Sequence, residues 1–289
     1  MNIFSMKKPH FRLLPLLILT SVLSASESDK KNDDPVINFR FYCAEYDVEA
    51  RYVTNAKGQV SGVTPAFEEV PPRLLYLDAK SMEKKPVPLP SGELSGWVKI
   101  PQSEAKGGTL GIFAAKFTPK ATEGNVASPA PGGIAGPRIT TMVETKVPFA
   151  SLRLKATIPQ LVVFYQPSLK GKWMPPKELT LDISPQAIPP GACVLLNLSD
   201  MPLTGLVGPT GTPATIASGA SLVVPTVARD ASGQAKLRLA VTTQQGMKVI
   251  ANGTQSMPAD KRTMIVVRSS NPALGSGSVA TFSLVSLDS

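Results

Sequence analysis

The sequence predicts an all-β protein made of two antiparallel β-sandwich domains of immunoglobulin-like type, related by an internal duplication. Three observations carry that prediction. No stretch sustains a 3.6-residue apolar period over helical length, whereas short runs that alternate or are continuously apolar recur at spacings of about ten residues. The runs are separated by chain breakers: 28 Pro and 22 Gly among 289 residues, in a chain that is 43% hydrophobic and 18% charged and therefore globular in composition. Several segments also recur in the same order in the two halves.

Residues 1–26 read as a secretory signal peptide. Lys7, Lys8 and Arg12 precede the apolar run 13–23, and the small residues Ser24, Ala25 and Ser26 follow it. That run is short for a bilayer span, no cysteine lies at 24–28 for lipid attachment, and no later run is long enough for a transmembrane helix. A secreted or periplasmic, soluble protein is expected. Its formal charge is +9 (30 − 21); the leader holds three bases and no acid, which leaves 27 − 21 = +6 after its removal. The excess is dispersed along strand-like segments, a pattern suited to solubility or to weak attraction toward an anionic envelope, with no patch for nucleic acid.

After a charged linker, 27–35, the first domain is expected over 36–184. Its opening strand, 36–44, alternates Ile37, Phe39, Phe41 and Cys43 with Asn38, Arg40 and Tyr42, so one face meets a core. Residues 44–70 are polar and carry Gly58, Gly62 and Pro65, which leaves room for one weak strand between loops. Strands follow at 73–78, 87–89, 94–100 and 109–116. The stretch 117–139 contains Pro119, Pro129, Pro131, Gly132, Gly133, Gly136 and Pro137, which deny helix and ladder hydrogen bonds alike, so a long exposed, mobile loop is expected there. Strand character returns at 140–147, 151–157, 160–165 and 178–183.

The break Pro185-Gln-Ala-Ile-Pro-Pro-Gly191 opens the second domain, 185–289. Its first strand, 192–199, has Cys193 and Leu195 on one face and Val194, Leu196 and Leu198 on the other, as a strand covered on both sides requires. Four echoes suggest the duplication: 152–157 with 237–242, 161–171 with 264–275, 178–184 with 281–288, and 73–78 plus 90–94 with 193–200 plus 217–222. The segments Ile188-Pro-Pro-Gly-Ala-Cys-Val-Leu-Leu-Asn-Leu-Ser-Asp200, Ile216-Ala-Ser-Gly-Ala-Ser-Leu-Val-Val-Pro225 and Arg262-Thr-Met-Ile-Val-Val-Arg268 resemble a pattern in uncharacterised secreted β-sandwich proteins of Verrucomicrobia-type bacteria. The resemblance covers the last half of the chain and implies a secreted β-fold; the family has no assigned activity to carry over.

Function is bounded mainly by what is missing. The only histidine, His10, lies in the leader, so the processed chain has none; with two cysteines this excludes Ser-His-Asp and Cys-His catalysis, ordinary zinc sites and His-ligated iron, copper or haem. No cofactor or metal is expected. Cys43 and Cys193 either pair across an oxidising compartment or serve as separate small core residues. Ser-x-x-Lys occurs at Ser81–Lys84 and Ser103–Lys106, but in polar turns and without the companion motifs of penicillin-binding enzymes. Glu45, Asp47, Glu49 and Arg51 fall at period two; such a row suits a solvated strand edge, and alternatively the carboxylate pair of a glycan hydrolase.

Aromatic side chains supply the candidate ligand site. Trp173, on a loop between Lys170 and Lys172, is the first choice for a sugar-stacking platform, with Tyr165 and Trp97 beside it and Tyr76 and Tyr46 as further aromatics. Asn197-Leu-Ser and Asn252-Gly-Thr match the glycosylation triplet, the first inside a buried strand, while Gly208–Gly211 and Gly275–Gly277 lack the helix a phosphate loop needs. The expectation is a non-enzymatic binding or structural module of the cell envelope whose partner is a glycan or another envelope protein; the alternatives are a carboxylate-dependent glycan hydrolase and a subunit of a surface assembly.

Overall fold

Period-two segments ending at Gly, Pro and Asp turns give eighteen strands in a computed structural model, which describes residues 34–44, 51–54, 60–63, 67–121, 140–167, 172–208, 212–270 and 279–288. From Asp34 onward the chain forms one compact unit. The strands are β1 (Val36–Ala44), β2 (Arg51–Thr54), β3 (Val60–Val63), β4 (Leu74–Leu77), β5 (Val87–Pro88), β6 (Val98–Pro101), β7 (Thr109–Ala121), β8 (Thr140–Arg153), β9 (Pro159–Tyr165) and β10 (Lys177–Asp182) in the first half. The second half has β11 (Cys193–Asn197), β12 (Leu203–Val207), β13 (Ala214–Ile216), β14 (Ala220–Val224), β15 (Gln234–Thr243), β16 (Gly246–Ser256), β17 (Thr263–Ser269) and β18 (Ala280–Ser286). Three short 3₁₀ turns are the only helical segments among the described residues.

Two β-sandwiches result, and they repeat one topology. The first half pairs an inner sheet, β10-β9-β1-β6, with an outer sheet, β5-β4-β7-β8. The second pairs β18-β17-β11-β14 with β13-β12-β15-β16, the same order throughout; the β2–β3 hairpin is the insertion in the first copy. Each inner sheet contains one parallel pair, β1 with β9 and β11 with β17, in an otherwise antiparallel arrangement. The recurring strand order therefore matches β9 to β17 and β10 to β18 as the echoes suggest. It matches 73–78 (β4) to β12, though, and β11 to β1, while the 152–157 echo pairs the end of β8 with β15 one strand out of step.

Three cores run in series through four sheets. Phe39, Phe41, Phe164, Ile112 and Trp173 fill the first sandwich, and Leu195, Leu203, Leu239 and Ile265 fill the second. Between them, Tyr42, Leu161 and Val163 from one inner sheet meet Val194, Leu196, Met264 and Val266 from the other. The central strands β1, β9, β11 and β17 are thus covered on both faces, and β11, fully buried from Cys193 to Asn197, is the two-sided strand its sequence indicates.

Local departures from the sequence reading have physical causes. Strand β7 continues through Phe117 to Ala121 because it pairs in register with Thr140–Glu144 of β8, so the Pro/Gly segment is left with 122–139, outside the described residues. β8 is one strand, not two, since a register shift between Ile112 and Phe113 absorbs Pro148 opposite Phe113. Residues 44–70 yield two short paired strands rather than one.

Candidate functional site

On β1 the side chains of Phe39, Phe41 and Cys43 enter the first core, so Asn38, Arg40 and Tyr42 take the opposite face. In an isolated sandwich that face would meet water. Here the second inner sheet covers it, and Arg40 is 4% exposed. Beside it the chain bulges: Phe39 pairs with Val98 while Tyr42 bridges Leu94, three steps along β1 against four along the neighbouring segment. Ser95 closes the bulge; its N–H donates to the Phe41 carbonyl at 2.8 Å and its Oγ accepts from the Phe41 N–H at 2.8 Å.

Trp97 lies over Arg40. The guanidinium carbon lies 5.2 Å from the indole centroid, within cation–π range, and Nε donates to the Ser95 carbonyl at 3.2 Å. Burial, with the nearby Arg262 cation, lowers the Arg40 pKa from its ordinary value. Trp97 remains 44% exposed at the wall of a groove of about 570 Å³ that Glu93, Ser95, Leu284 and Ser286 also line, where the two halves of the chain meet.

The repeat shows that the fold does not require this pair. Arg40 stands opposite Leu161 as Val194 stands opposite Met264. Trp97 precedes Val98, the partner of Phe39, as Val223 precedes Val224, the partner of Cys193. Two valines thus fill in the second half the positions that a buried cation and a half-exposed indole take in the first.

The other expected site residues are dispersed. Trp173, the first choice from sequence, is fully buried in the first core, and its N–H donates to the Glu68 carbonyl at 2.7 Å, which ties its loop inward. It is a packing residue, not an exposed platform. Tyr165 is 6% exposed in the central core, where burial raises its pKa. Lys172 is exposed; Lys170 lies outside the described residues, as do Glu45, Asp47, Glu49, Tyr46 and the 275–277 turn.

No disulfide joins Cys43 and Cys193: they lie in the first and last of the three cores, with the central one between them. Burial pushes the Cys193 thiol up to about 12, against a smaller opposing effect of Arg229. Ser81 and Ser103 donate their hydroxyls to the carboxylates of Glu104 and Asp34, while Lys106 is paired with Asp78 at 2.9 Å, so neither Ser-x-x-Lys forms a serine–lysine dyad. Asn197 is buried; its amide donates to the Met201 and Ile216 carbonyls at 2.8 and 2.9 Å, which leaves it inaccessible to glycosylation in the folded chain. Among the described residues no group of three or more His, Cys, Asp and Glu is placed to hold a metal ion, and no helix is long and apolar enough to cross a membrane.

Arg40 does not stand out in the sequence, because its period-two position reads as the wet side of a half-buried strand. The available signal was a lone cation inside an aromatic-rich strand, facing a second domain with its own two-sided strand. Neither a scan of protein-family models nor a search of curated proteins gives a match to the chain.

Proposed function

We propose that the protein is an extracytoplasmic, non-enzymatic binding module of the cell envelope, with Trp97 as the platform on which a glycan ring stacks. The observation that carries this reading is the half-exposed indole clamped against Arg40 at a groove between the two halves, in positions that the repeat fills with valine. An aromatic face held rigidly loses little conformational freedom on binding, and the apolar face of a pyranose is its natural complement. The groove is about 570 Å³, the size of a small-ligand site, and two of its lining residues, Leu94 and Val285, pack against the central core. The leader-like N-terminus supports the address.

The test is a binding screen of residues 27–289 against peptidoglycan fragments and neutral and acidic polysaccharides, beside Trp97→Ala. Saturable binding to at least one polymer, weakened about tenfold or more by the substitution, is expected. Absence of binding to every polymer, or binding indifferent to Trp97→Ala, overturns the reading. Cell fractionation should place the protein outside the cytoplasm, and an intact chain confined to cytosol contradicts that part.

A further inference from the structure

The second outer sheet turns one face to the second core and the other to solvent. On the solvent face, Lys236, Arg238 and Ala240 of β15 stand in register with Thr254, Asn252 and Val249 of β16, and Leu206 of β12 lies opposite Arg238. Met247 and Val249, 64% and 68% exposed, are the most exposed large apolar side chains among the described residues. With Leu206, Pro213 and Ala251 they line a shallow depression of about 280 Å³.

The charge on this sheet has one sign. β12, β13, β15 and β16 contain no Asp or Glu, and Lys236, Arg238 and Lys248 are their only charged residues. The nearest acid before β15, Asp230, is engaged in its own turn, where Oδ1 accepts from the N–H groups of Ser232 and Gln234 at 2.9 Å each. The equivalent outer sheet of the first half mixes signs: β7 and β8 carry Lys116, Lys120, Lys146 and Arg153 together with Glu144, and Lys116 pairs with Glu68. An outer sheet with no acid, in which Lys236 and Arg238 share the solvent face with Met247 and Val249, is thus a feature of the second half and not of the first.

We propose that this face docks on a membrane surface bearing anionic phospholipid headgroups. The sheet is the last layer of the stack and so presents a broad face to a plane, with Met247 and Val249 beside the β15–β16 turn to enter the headgroup region and the cations to meet the phosphates. A second copy of the chain docking face to face would set Lys236 and Arg238 against the same cations, an arrangement that like-charge repulsion opposes.

The experiment is co-sedimentation of residues 27–289, which contain the whole compact unit and all three cores, with vesicles of phosphatidylglycerol and phosphatidylcholine or of phosphatidylcholine alone. Binding to the anionic vesicles only, weakening with salt, is expected. Each cation removed in Lys236→Gln and Arg238→Gln should cost about fivefold in partitioning. Met247→Ser with Val249→Ser should weaken binding at unchanged charge, and thermal unfolding should show every variant folded, since all four side chains are exposed. Failure to bind anionic vesicles, equal binding to neutral ones, or indifference to both variant pairs overturns the proposal, as does concentration-dependent self-association that the same substitutions abolish.

Discussion

Leu196→Ala should unfold both halves of the molecule more easily, although the side chain belongs to the second. Leu196 is fully buried on β11 and faces the central core shared with Tyr42, Leu161 and Val163 of the first inner sheet. Truncating a buried leucine removes apolar burial and leaves a cavity that strands packed on both faces cannot collapse, a cost of about 3 kcal/mol. For a unit of this size that lowers Tm by about 6–12 °C. The two tryptophans separate the halves spectroscopically: Trp97 and Trp173 both lie in the first, so indole fluorescence reports its unfolding while far-UV circular dichroism reports all the strands. If the central core makes the sandwiches one cooperative body, both signals move together in the variant and stay coincident. A fluorescence midpoint that stays in place while the dichroism turns biphasic would show the halves unfolding independently and rule out a single cooperative body.

Further outcomes follow from single groups. Trp173→Ala should destabilise by about 3–5 kcal/mol in thermal or urea unfolding, whereas Trp97→Ala, half exposed, should cost far less, which separates the packing indole from the binding one. The Cys193 thiol, raised from 9.0 to about 12 by burial, should resist thiol reagents at pH 8 until the chain unfolds. Between those values the unfolded thiol ionises and the folded one does not, so the unfolded state binds fewer protons and stability falls as pH rises, by up to about 1.4 kcal/mol per pH unit; Cys193→Ala should remove that slope from urea titrations. For Asp288, burial pushes the carboxyl up but hydrogen bonds from the Arg262 N–H and guanidinium outweigh it, and the pKa ends below its ordinary 3.8. Its stabilisation is present above pH 3.8 and disappears as acid carries the folded carboxylate through its lowered pKa, so Asp288→Asn should lose stability at neutral pH and converge with the wild type in acid-unfolding curves.

The strands were largely legible, because alternation and two-sided apolarity are local properties: β1, β9 and β11 follow from their own side chains. Strand partners were not. Residues 73–78 and 193–200 look alike as short apolar runs, yet one lies in an outer sheet and the other in an inner sheet, and only pairing across tens of residues distinguishes them. The surroundings of the candidate aromatics were not legible either. Lysines around Trp173 suggested a wet loop, but a backbone hydrogen bond to Glu68 and the first core draw that indole inside. Arg40 looked solvated because its covering sheet comes from the other half of the chain. The one-residue bulge beside Trp97 leaves no mark on a period-two pattern.

The most direct test of the functional account is to follow binding and product release together when residues 27–289 meet each envelope polymer, with Trp97→Ala alongside. Saturable binding that depends on Trp97, with no released product, is expected. Product formation, above all product that persists in Trp97→Ala, would contradict it and direct attention to the carboxylates Glu45, Asp47 and Glu49.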